Sequence, residues 1–227
     1  MRAVYTCDIG SLHSGNFGWA RQTPEGEDIL TGSNNIVDLA GCLEKDMTNG
    51  TSIALGFECP LFIPVPLSSN DLCRGRDGEG SRSIFAQAGA TVATLGMHQA
   101  AWILRKLKVW VDGFEFTTDL SKWPPLADHR VLFCWEAFVS GDAHSTEHTR
   151  DAATATVFFL ENEKHLRNVN AVTTQLSFSL IHAVALWSGW SENLKELHGT
   201  ALVLKPSRRY EGTIRIYNES LLPIAEQ

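Results

Sequence analysis

Residues 51–58 read Thr-Ser-Ile-Ala-Leu-Gly-Phe-Glu, a run with almost no polar relief until its last residue. A strand that faces water on one side alternates apolar with polar residues, whereas one that is apolar throughout is covered on both faces. This segment is therefore expected to be a central strand, broken at Cys59-Pro60. Arg130-Val131-Leu132-Phe133-Cys134-Trp135-Glu136-Ala137-Phe138 has the same character. So does Arg2-Ala3-Val4-Tyr5-Thr6-Cys7-Asp8, which runs into Ile9-Gly10-Ser11. Three buried strands separated by helical stretches point to an α/β architecture.

The intervening segments fill in the order. Phe17-Gly18-Trp19-Ala20-Arg21-Gln22 reads as a second strand and residues 27–31 as a third, with a turn at Pro24-Glu25-Gly26, so the chain begins with a three-strand meander. A helix is expected over residues 34–47, where Ile36, Leu39, Ala40, Leu43 and Met47 recur at helical steps behind a Ser33 cap. Residues 59–81 form a loop, and a long helix bent at Gly89 or Gly96 should cover residues 83–107. Residues 109–128 are poorly patterned. Helices over 145–166 and 172–187 and short strands at 201–204 and 213–217 complete the chain. No repeat or linker interrupts it, so a single domain over residues 1–227, with a C-terminal helical and strand extension, is expected.

At 227 residues and 44% apolar content the chain can bury a core without staples. Its five cysteines are odd in number and none forms a C-x-x-C pair, which argues for a reduced, cytoplasmic protein and against a zinc site. No apolar run reaches the roughly 18–20 residues needed to cross a bilayer, and the N-terminus lacks the pattern of a secretory leader. The net charge of −7 argues against a coat for nucleic acid, although a local basic patch remains compatible with it.

The acids at the strand ends carry the functional information. Asp8 closes the first strand and Glu58 the fourth; Asp151 stands in the run His148-Thr149-Arg150-Asp151-Ala152-Ala153, where a late helix begins. Parallel strands of an open α/β sheet gather ligands at their carboxyl ends. Two carboxylates about 4 Å apart repel by about 4 kcal/mol at an effective dielectric of 20. A hard cation such as Mg²⁺ or Mn²⁺ relieves that repulsion.

A meander, then helix, strand, helix, strand, helix is the element order of the RNase H-like fold. The run Cys7-Asp8-Ile9-Gly10-Ser11 with Gly18-Trp19-Ala20 resembles the first motif of RuvC-type resolvases in that superfamily, and His148-x-x-Asp151-Ala152-Ala153 resembles the last. Phe57-Glu58-Cys59-Pro60-Leu61-Phe62-Ile63-Pro64 is similar to a branch of predicted RNase H-like nucleases, whose strand-borne glutamate is matched by Glu136. In that branch an aspartate stands at the position of Glu58 and a glycine at that of Phe62.

The resemblance implies a mixed central sheet flanked by helices and a metal-dependent phosphodiester hydrolase. Asp8, Glu58 and Asp151 would be its metal ligands, with His148 and Glu136 assisting catalysis. Arg74, Arg76 and Arg82 are candidate contacts to a substrate phosphate, and nucleic acid is the candidate partner. The apolar residues 172–187 would serve a homodimer as readily as a core. Each acid also has a purely structural role open to it: a turn cap for Asp8, an arginine partner for Glu58, an ion pair for Glu136, and a helix-terminal charge for Asp151. Two other functions fit the same fold: a binding or scaffold protein without turnover, and an ATP-handling phosphotransferase of the actin-like superfamily. The latter needs a second phosphate motif that the chain does not show.

Overall fold

Strand β1 (Arg2–Asp8) is buried from Ala3 onward and lies at the centre of a mixed sheet. In this computed structural model residues 1–24, 30–79, 83–126, 128–174 and 176–217 are described. β1 pairs antiparallel with β2 (Gly18–Gln22), and β2 antiparallel with β3 (Leu30–Ser33), which builds the expected meander. Residues 25–29, which hold part of its expected turn and third strand, lie outside the described residues.

Helix α1 (Ile36–Thr48) follows. It is capped by Asn35 rather than Ser33: the Asn35 side chain accepts the Val37 amide, while the Ser33 hydroxyl bonds Trp19 and Asp38. The chain then enters β4 (Ser52–Phe57), all six residues of which are buried, and β4 lies parallel to β1. After β5 (Phe62–Pro64) and a long loop, α2 (Gln87–Trp110) runs unbroken through Gly89 and Gly96. Gly96 serves packing rather than bending, since a Cβ there would lie 2.2 Å from the Cys59 sulfur.

A short strand, β6 (Glu115–Thr117), emerges from the stretch that looked unpatterned, and β7 (Val131–Ala137) pairs parallel with both β4 and β6. α3 (His148–Glu161) ends earlier than its periodicity predicts and gives way to a 3₁₀ segment, Glu163–Val169. The helix expected over 172–187 divides: β8 (Ser177–Ser179) pairs with β5, and only α4 (Leu180–Ser188) is helical. Two short strands close the sheet, β9 (Val203–Leu204) beside β7 and β10 (Ile214–Ile216) beside β3.

The order across the sheet is β10-β3-β2-β1-β4-β7-β6, with β9 branching from β7. Alternate residues of the central strands face opposite layers. Tyr5, Cys7, Leu55, Phe57 and Cys134 join α1, α2 and α4 in one cluster, while Val4, Ala54, Phe133 and Trp135 pack with Ala155 and Phe159 of α3 on the other side. The two-sided burial read from the apolar runs is thus realised as an α/β sandwich. No helix among the described residues is long and apolar enough to cross a membrane.

Candidate metal centre

The parallel register of β1 and β4 sets Cys7 opposite Phe57, and the ladder continues as the Glu58 amide donates to the Cys7 carbonyl at 2.8 Å. Asp8 and Glu58 therefore leave the sheet side by side. α3 brings the third acid from the opposite layer. Its first turn lies directly on β2, because Gly18 has no side chain to hold it off: a Cβ on Gly18 would lie 2.3 Å from the His148 carbonyl carbon and the Thr149 amide nitrogen. Gly18 thus owes its place to close helix approach rather than to strand formation.

The outcome is a trio. Asp8, Glu58 and Asp151 each offer an oxygen, and those oxygens lie within 4.8 Å of one another. Asp8 and Asp151 are buried and Glu58 is half-buried. Two histidines hold the aspartates in place. His148 Nδ1 lies 2.5 Å from Asp8 Oδ2, and His144 Nδ1 lies 2.5 Å from Asp151 Oδ2. The Ser145 amide donates to Asp151 Oδ1 at 2.7 Å, so Asp151 also ties down the loop that leads into its own helix.

Burial dominates the electrostatics of the two aspartates. It pushes the Asp8 carboxyl up from an ordinary 3.8 to about 6; the hydrogen bond and charge of His148 oppose it, and neighbouring Asp151 adds to it. Burial raises Asp151 as well, against the Ser145 amide and His144. A carboxyl whose folded pKa exceeds its unfolded one binds more protons in the folded state between the two values, so stability falls as pH rises through that window. Metal-free protein is accordingly expected to lose stability from about pH 4 to pH 7, which urea unfolding in the presence of a chelator would read. A stability that rises across this window would contradict the assignment.

The other sequence candidates are placed differently. Glu136 stands opposite Phe57 in the β4–β7 ladder, one strand from Glu58. Its carboxylate nonetheless accepts from Arg76 Nη2 at 2.6 Å, Arg76 Nη1 at 2.8 Å and the Leu61 amide at 3.0 Å. Burial raises its carboxyl pKa, opposed chiefly by Arg76. Arg76 also bonds Glu79 at 2.8 Å, and its guanidinium lies over the Phe62 ring. Glu136 and Arg76 thus hold each other, the ion-pair role left open for Glu136 by the sequence. Arg74 is exposed beside Asp71, and Arg82 lies outside the described residues.

Sequence reasoning missed His144. It lies seven residues before Asp151, just after a 3₁₀ turn at Gly141–Ala143, and no helical periodicity links the two. A serine–histidine–glutamate arrangement at Ser179, His182 and Glu196 is not a nucleophilic triad. Ser179 is fully buried, and its hydroxyl caps α4 by accepting the His182 amide.

The close approach at Gly18 carries a prediction. Gly18→Ala should force β2 and α3 apart at a cost of about 1–3 kcal/mol, the usual penalty for overpacking. It should also displace His148 from Asp8, visible as a changed His148 imidazole resonance. An unshifted resonance and full stability would contradict the packing role.

Comparison of the chain with protein-family models, with curated proteins and with solved structures finds no match. The reading of the site therefore rests on its geometry, which brings together three acids from two strands and a helix in a buried cluster able to bind a metal ion.

Proposed function

We propose that this protein is a divalent-metal-dependent phosphodiester hydrolase of the RNase H-like fold, with Mg²⁺ or Mn²⁺ held by Asp8, Glu58 and Asp151. The convergence of these three carboxylates within 4.8 Å carries the reading. The strand order supports the fold assignment: a meander β3-β2-β1 is continued by β4 and β7, and only β2 opposes its neighbours.

The donor set fits such an ion. Three carboxylates offer hard oxygen ligands, and their burial leaves a repulsion that a cation would relieve. A bound ion of this kind supplies a Lewis acid and lowers the pKa of water at the scissile phosphate. The protein's own groups do the positioning. His148 and His144 orient the Asp8 and Asp151 carboxylates, and the Ser145 amide fixes the second oxygen of Asp151. Each contact limits side-chain rotation, so the ligands are preorganised at the sheet edge.

A metal-binding protein without turnover is the second reading. It is favoured by the net charge of −7 and by Arg76, whose guanidinium is held by Glu79 and Glu136. Incubating the protein with Mn²⁺ and a panel of branched, single-stranded and RNA substrates together with a small diester, bis(4-nitrophenyl) phosphate, separates the two. Cleavage that disappears in Glu58→Gln supports the hydrolase. Mn²⁺ binding without cleavage of any substrate supports the second reading, and absence of Mn²⁺ binding contradicts both.

A further inference from the structure

Next to the acidic trio, and sharing Glu58 with it, is a cavity of about 550 Å³. This volume falls within the range of about 300–1,000 Å³ typical of small-molecule sites. Pro60, Ile84, Val92, Phe138 and Val139 line it, and the first turn of α2 closes one side through Ala88 and Gly89. Its charged lining, apart from Glu58, is Arg76, Glu79 and Glu136, all at least nine-tenths buried.

Those three charges are engaged with one another. Arg76 directs Nε to Glu79, and Nη1 and Nη2 to Glu136, while Nη1 also faces the Phe62 carbonyl. Glu79 receives the Arg76 amide as well, and Glu136 the Leu61 amide. Among the described residues the cavity therefore offers a ligand apolar wall rather than free cationic donors. A charged ligand group would be disfavoured inside it, and an uncharged apolar group would be stabilised by leaving water. Any anionic part of the same ligand belongs at the Glu58 end, where a cation on the trio would attract it.

We infer that this cavity seats the organic group of a small phosphoester whose phosphate lies at the trio. The inference rests on the metal reading above and adds the substrate class: a compact ester with an apolar substituent, rather than a nucleic-acid strand. A strand needs a track of cationic contacts to its phosphates. The chain is instead acidic, with a net charge of −7, and Arg76, the arginine that lines the cavity among the described residues, is internally paired.

Calorimetric titration with benzylphosphonate and methylphosphonate tests this, since neither contains an ester bond to hydrolyse and they differ only in the apolar group. Protein loaded with Mn²⁺ is expected to bind benzylphosphonate about tenfold or more tightly than methylphosphonate, from burial of the ring. Ala88→Trp at the exposed mouth and Val92→Trp in the wall should each remove most of that preference while Mn²⁺ still binds. Two variants are used so that one failing to fold does not decide the matter.

Mn²⁺ binding with equal affinities for the two phosphonates would overturn the inference and leave the metal reading intact. A preference unchanged in both tryptophan variants would place the ring elsewhere and also overturn it. Tighter binding of single-stranded oligothymidylate, insensitive to both variants, would overturn the small-ester assignment. Benzyl alcohol, which is uncharged, probes the cavity in metal-free protein. If it binds and is displaced by Val92→Trp while Mn²⁺ does not bind at all, the metal reading fails and the phosphoester assignment fails with it.

Discussion

Asp8→Asn is expected to raise the melting temperature of the metal-free protein at pH 8 and to abolish the further rise that Mn²⁺ brings to the unsubstituted chain. The two effects have opposite signs and one cause. Without a cation, Asp8 must hold a negative charge in a buried place, and its carboxyl has moved from 3.8 to about 6 in response. That displacement corresponds to about 3 kcal/mol at pH values above both figures. Asparagine keeps a carbonyl oxygen for His148 and carries no charge, so the penalty disappears. The advantage should shrink as pH falls through about 6, where Asp8 takes up a proton.

With Mn²⁺ present the balance reverses. A ligand that binds only the folded state at about 100 times its Kd adds about 2.7 kcal/mol. For a chain of this length that raises Tm by roughly 5–10 °C. Removing one of three carboxylates should eliminate most of this shift and any metal-dependent cleavage with it. Differential scanning calorimetry of both proteins, with chelator and with Mn²⁺, reads all of these quantities. A Mn²⁺ shift of equal size in Asp8→Asn would exclude the trio as the binding site.

Arg76→Met should be among the most destabilising single substitutions in the chain, costing about 3–5 kcal/mol and about 10 °C in Tm. Its guanidinium is the cation between Glu79 and Glu136, and all three groups are buried. Methionine occupies similar space and leaves two buried carboxylates facing each other without a counter-charge. Adding Glu79→Gln and Glu136→Leu to Arg76→Met should recover much of the loss, because the uncompensated charges go too. Failure of that recovery would show that the penalty comes from packing rather than charge.

Glu136→Gln separates two roles for that residue. As an ion-pair member it should lose stability while keeping Mn²⁺ affinity within about twofold. A metal ligand would lose at least about tenfold, the scale of outer-sphere effects or larger.

Much of the frame was legible before the fold was known. Two-sided burial of residues 51–58 and 130–138 placed them as central strands, and both are buried along their whole length in β4 and β7. Asp8 and Glu58 were legible as neighbours, since acids at the carboxyl ends of adjacent parallel strands leave the sheet on one edge, and Asp151 was joined to them by the resemblance of His148-x-x-Asp151-Ala152-Ala153 to a last motif. Helix ends were less legible. The expected helix over 172–187 lost its first half to β8 because the edge of β5 offered Ser177–Ser179 a strand partner, an interaction that local apolar content cannot register. Gly18 is a strand residue as expected and Gly96 is not the expected helix bend, and both are places where another element approaches to within a side chain's width, which their own segments do not reveal.

What the sequence determined by itself was the central strands β1, β4 and β7 and the end of the sheet at which their acids emerge, because strand periodicity and chain direction are local properties. The tertiary structure decided which acid pairs with which partner. Glu58 and Glu136 end neighbouring strands, and nothing in their own segments distinguishes them. Arg76, sixty residues before Glu136, folds back from a loop and pairs with it. His144 and His148 reach Asp151 and Asp8 only once α3 has settled on Gly18. Such partners are chosen by loop paths and close packing in three dimensions, and a buried charge takes whichever counter-charge or proton the completed fold brings within reach.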